Sequence, residues 1–135
     1  MATQTLPTPD RSALLRRAIQ ADSIFAFLGG LLLTIDAESI APRIGLPSSW
    51  LLTVMGLFCV GYSVLLFVAA RRSPIDRGQA LGFILGDVAW VVASAAILLG
   101  GWAPLNIAGV WCVLIVADIV GVFAVAKYVG WRRLA

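Results

Sequence analysis

From Trp50 to Ala70 the chain runs without a single charged residue. As a helix rising 1.5 Å per residue, such a run is roughly 30 Å long, the thickness of a bilayer's hydrocarbon core. Backbone N–H and C=O groups placed in lipid find no water, so they must pair within the protein, and only helices and closed barrels achieve this. The run shows no alternation of period two, which selects the helix. Three further segments read the same way, at about 18–35, 80–99 and 107–126. The chain has 135 residues, of which 61% are hydrophobic and 13% charged, with mean hydropathy +0.97. A soluble domain carries about 25% charged residues. The reading is therefore all-α: an antiparallel, up-down four-helix transmembrane bundle forming a single domain over 1–135.

The basic residues set the expected orientation. Arg11, Arg16 and Arg17 precede the first span, Arg71, Arg72 and Arg77 join the second to the third, and Lys127, Arg132 and Arg133 follow the fourth. Only Arg43 lies on the other side, beside Asp36 and Glu38. Cytoplasmic loops carry the Lys/Arg excess, so both termini are expected in the cytoplasm and the membrane to be the inner, cytoplasmic one. The first span follows Arg16 and Arg17 as a signal peptide's core would, but Ile35-Asp36-Ala37 makes a poor cleavage site, so no cleavage is expected. Ahead of that span, residues 8–17 read as a short interfacial segment. Thr8, Pro9 and Asp10 supply a capping hydroxyl, a first-turn proline and an acid at the positive dipole end.

The two halves share a layout: a hairpin with an early aspartate (Asp22, Asp87), an outward loop with a proline (Pro42, Pro104), and a second helix whose central glycine precedes a basic end. Residues 61–72 and 121–132 match at glycine and arginine without a gap, as in a tandem two-helix repeat. Small residues four apart (Ala26 and Gly30, Gly82 and Gly86, Ala117 and Gly121) allow close backbone approach, the main source of helix association in lipid. They are read as packing positions within the chain, with a dimer face as the alternative.

Much chemistry is excluded. There is no histidine, hence no imidazole ligand or acid–base group. Cys59 and Cys112 lie within apolar runs and are read as packing residues rather than a disulfide. No phosphate loop, nucleophile–base set or metal-ligand cluster is present, so neither enzymatic activity nor a cofactor is expected. The basic rim fits anionic headgroups and not nucleic acid. Trp50, Trp102 and Trp131 fall at span ends, where indole suits the headgroup level. Trp90 and Trp111 fall inside spans and are read as packing residues, or as the walls of a pocket.

The informative residues are acids. Counting from the basic ends places Asp22 about 7 Å deep, Asp87 about 10–15 Å and Asp118 about 13 Å. A lipid-facing aspartate at the centre of a span costs roughly 2.5–3.5 kcal/mol on insertion scales, so Asp87 and Asp118 are both expected to face the bundle interior. Three roles compete: uncharged acids hydrogen-bonded to Trp90, Ser94, Tyr62, Ser63 or Thr34; a pair binding a cationic substrate or exchanging a proton; and contacts to a partner subunit or a lipid or isoprenoid ligand. No cation lies deep in a span, and a snorkelling Lys127 is the one candidate for an ion pair. The candidate polar cluster is Asp87, Asp118, Trp90 and Ser94, with Asp22.

At "ADSIFAFLGGLLLTI…IGLP" and "GDVAWVVASAAILLGG" the chain resembles uncharacterised four-span bacterial integral membrane proteins, in which a polar residue, a tryptophan and a serine mark span three. Asp87, Trp90 and Ser94 occupy that pattern, and the likeness covers about 18–133. The resemblance implies the four-span fold and brings no activity with it. Small multidrug exporters share the length and span count but are marked by a glutamate in the middle of span one, where this chain has only Asp22 near one end. The expected role is a non-enzymatic structural or accessory membrane component. Its partners are the lipid bilayer and either a second copy or another membrane protein. The alternative is a small proton-coupled transporter or ligand-binding protein using Asp87 and Asp118.

Overall fold

A computed structural model of the chain describes residues 12–72, 74–101 and 104–134. Five helices follow in order: α1 (Ala13–Ile35), α2 (Ala37–Arg43), α3 (Trp50–Arg71), α4 (Arg77–Gly100) and α5 (Ile107–Arg132). All except α2 are long and apolar enough to cross a membrane. The architecture is an all-α antiparallel bundle. Two boundaries differ most from the sequence reading, and α4 also begins three residues early, at Arg77 rather than 80. α1 begins at Ala13, upstream of 18, and α5 continues to Arg132, beyond 126, so Lys127 lies within the helix. The loop containing Asp36 and Glu38 forms the short α2, which buries Ala37 and Ala41 against Leu52. The expected helix start at Thr8–Pro9 and the position of Trp102 lie outside the described residues.

Local chemistry sets the ends. α4 starts at Asp76, whose carboxylate accepts from the Gly78 N–H at 3.0 Å, and stops at Gly101 in the left-handed conformation (φ 63°). α5 starts at Asn106, whose side-chain oxygen accepts from the Gly109 N–H at 2.9 Å. Its amide group also donates to the Arg43 carbonyl, and its backbone N–H donates to Ile44 O, so the first hairpin's loop is tied to the second hairpin. Gly45 (φ 91°) makes that turn possible, since a Cβ there would stand 2.7 Å from both Asn106 N and Pro104 O.

At the arginine-rich end, Arg16 donates to the Ala70 and Arg72 carbonyls, closing the C-terminus of α3 that lacks helical partners. Trp131 donates its indole N–H to Arg77 O, and the Arg77 guanidinium lies 4.3 Å from the Trp131 ring centroid. α1 packs on α3, α4 on α5, and α1 on α5 joins the hairpins, while α3 and α4 touch sparsely. The α1–α3 seam is closest at Gly30, where a Cβ would meet Gly56 O at 2.8 Å and Val60 at 2.9 Å. Ala26-x-x-x-Gly30 therefore carries intramolecular packing at its glycine. On α4, by contrast, Gly82, Gly86, Ala89 and Ala93 remain exposed.

The burial pattern is inverted relative to a water-soluble protein. Leu28, Leu57, Phe58, Leu85, Val92 and Val122 are all more than half exposed, whereas Asp22, Asp87 and Lys127 are buried. Water would disfavour such an apolar exterior and a hydrocarbon solvent would not.

Candidate functional site

Among the described residues Lys127 is the largest wholly buried side chain, at 0% exposure. Its ammonium donates to the Asp22 carboxylate of α1 and, at 2.6 Å, to Asp87 Oδ2 of α4. Three helices thus meet in one ion cluster. The Tyr62 hydroxyl of α3 donates to the other Asp87 oxygen at 3.2 Å and also lies 3.3 Å from Phe83 O, so every long helix contributes. Lys127 is the one hydrogen-bonding partner of the Asp22 carboxylate among the described residues. Charges in low dielectric need this pairing, because an isolated buried ion costs far more than a paired one.

Helix direction explains how residues at different depths meet. Every Cα–Cβ bond tilts toward its helix's N-terminus. α1 and α4 begin at the arginine-rich end, so Asp22 and Asp87 lean back toward it. α5 ends there, so Lys127 leans inward. This geometry corrects the expectation of a snorkelling Lys127. Near the C-terminal end of a span, reaching the rim would require lysine to fold against its own tilt, whereas two carboxylates lie along it. A sequence signal was present: Lys127 is followed by the apolar Tyr128-Val129-Gly130-Trp131, so the span does not end at the lysine.

Between the cluster and the arginine-rich end lies an apolar plug of Leu15, Ile19, Leu66, Ala69, Ala70, Ile75, Ala80 and Phe83, all buried. Gly130 seats α5 against α1 at this level, where a Cβ would come within 2.7 Å of Leu15 N. The ions are thereby kept from water on that side.

The other expected members fall elsewhere. Ser94 is buried on the Asp87 face but donates to Trp90 O at 2.8 Å, within its own helix, and Trp90 is half-buried. Thr34 likewise donates to Gly30 O, and Ser63 to Val60 O. Such back-bonding uses up the hydroxyls of Ser and Thr inside helices. Ser23 joins α1 to α3 by donating to Ser63 O at 2.9 Å. Of the neighbours expected to bond Asp87, the structure supplies Tyr62. Cys59 and Cys112 are free thiols, the first half-buried and the second exposed.

Asp118 does not join the cluster. It is exposed, with no hydrogen bond or ion pair among the described residues, which corrects its expected inward orientation. The reason is the helical period. α5 buries Val120, Ala124 and Lys127, and nine residues at about 100° each put Asp118 half a turn away from Lys127. A lysine committed inward sends that aspartate outward. An acid there, near the centre of a span, carries the roughly 2.5–3.5 kcal/mol cost that had argued for burial.

Four apolar helices around a buried ion cluster, with an apolar exterior, define a multi-pass α-helical membrane protein. Comparison with protein-family models, curated proteins and solved structures finds no match for this chain.

Proposed function

We propose that the protein is a non-enzymatic accessory component of the cytoplasmic membrane, oriented with its arginine-rich end toward the cytoplasm. On this reading the ion cluster builds a rigid scaffold rather than carrying out chemistry. The observation behind this is the mutual pairing within the cluster: Lys127 is wholly buried and bonded to two carboxylates that are each 3% exposed. Groups paired with one another behind an apolar plug are shielded from a substrate arriving at the arginine-rich end. A cluster drawn from α1, α4 and α5 instead fixes how the two hairpins dock. A transporter using Asp87 and Asp118 together has less support, because the two acids face in opposite directions.

The test uses the purified full chain in lipid vesicles. Asp22→Asn and Asp87→Asn are expected to lower thermal stability in detergent. Vesicles containing the wild type, loaded with a pH-sensitive dye and given a pH gradient with ethidium as test cation, are expected to match protein-free vesicles. Gradient-driven ethidium or proton flux that disappears in Asp87→Asn, with the fold retained, would replace this reading with transport.

A further inference from the structure

Asp118 is the one acid of the long helices that the bundle leaves facing outward near mid-membrane. It sits about 2 Å along the axis from the midpoint of α5. The face around it is apolar and exposed: Trp111, Leu114, Ile115, Val122 and Val125. A carboxylate at the centre of such a face is costly to leave against hydrocarbon, and intramembrane charges characteristically pair with another polar group.

We propose that this face of α5 is a docking surface for a transmembrane helix of another protein, one that carries a lysine or arginine near its middle. Charge complementarity selects that occupant over a second copy of this chain. Lys127 is committed to Asp22 and Asp87, and the other described basic residues lie in the first two turns of α1, at or beyond the ends of the other long helices, or in α2. A second copy therefore brings no free cation to this depth, and symmetric pairing through α5 would set Asp118 against its own counterpart. Close self-packing through this face is also disfavoured, because Trp111, Leu114, Ile115, Val122 and Val125 surround Asp118 and Gly121 is the one small residue beside it on that face, whereas α4 exposes Gly82, Gly86, Ala89 and Ala93. The inference names the partner that an accessory component would have and so rests on that reading.

The test measures energy transfer from protein tryptophans to dansyl-labelled host peptides, leucine–alanine transmembrane helices with a central lysine, leucine or glutamate, in phosphatidylcholine vesicles holding the full chain. The lysine peptide is expected to bind roughly tenfold more tightly than the leucine peptide. Asp118→Asn and Asp118→Leu should remove that preference, Asp118→Glu should keep it, and all three should melt like the wild type because the position is exposed. Equal binding of the lysine and leucine peptides, or a lysine preference that survives Asp118→Leu, overturns the proposal. So does self-association of two labelled copies that disappears in Asp118→Leu. Failure of the accessory reading looks different: Asp118-dependent cation flux in vesicles without any peptide.

Discussion

Lys127→Met is the most incisive perturbation of the cluster. Methionine matches the length and apolar volume of the lysine stem, so packing is nearly conserved while the ammonium is lost. Asp22 then has no hydrogen-bonding partner among the described residues, and Asp87 keeps only the Tyr62 hydroxyl. Removing one member of a buried ion pair costs about 3–5 kcal/mol, because the remaining charge stays buried and unpaired. Two carboxylates are orphaned here, so the upper end applies, about 5 kcal/mol, or more than a thousandfold in the folded-to-unfolded ratio at 1.4 kcal/mol per tenfold. Neutralising the whole set in Asp22→Asn/Asp87→Asn/Lys127→Met removes the orphaned charges and should return stability to within about 2 kcal/mol of wild type. Equilibrium unfolding in dodecyl maltoside–SDS mixed micelles, followed by far-ultraviolet circular dichroism, measures both variants. A single variant within about 1 kcal/mol of wild type would refute the reasoning, as would a triple variant no more stable than the single one.

Four further outcomes are expected. Tyr62→Phe removes one donor to a charged acceptor and should cost about 1.5–3 kcal/mol in the same unfolding assay, less than Lys127→Met. Gly30→Leu places a side chain where Gly56 O already stands 2.8 Å from a Cβ position, and should cost at least 1–3 kcal/mol by parting α1 from α3. Gly61→Ala, with nothing within 4 Å, should be neutral or stabilise by up to about 1 kcal/mol. In a Cys59→Ser/Cys112→Ser background, Ser48→Cys should react with a membrane-impermeant maleimide in intact cells, and Arg133→Cys only after permeabilisation.

Legibility in the sequence varied with the kind of force involved. Helix existence was readable because length and charge exclusion act within a segment, and α3 begins at Trp50 and ends within one residue of the expected Ala70. The ends of α1 and α5 were not, because amphipathic residues such as Arg16 and Lys127 sit on both sides of a hydropathy threshold. Burial cost alone marks Asp87 and Asp118 as acids in need of company, and only Asp87 finds it inside the bundle. Lys127 is legible as the one candidate for an ion pair, but its full burial between Asp22 and Asp87 is not, because in sequence it belongs with the basic rim.

By itself, the sequence determined the solvent. Four runs that cannot remain in water, with backbones that must be satisfied internally, leave a helical bundle in lipid as the outcome. Only the tertiary structure decided which polar groups face one another. That choice depends on the rotation and direction of whole helices, fixed jointly by the close approach at Gly30 and Gly130, the inward tilt of Lys127, and the half-turn that carries Asp118 to the outside.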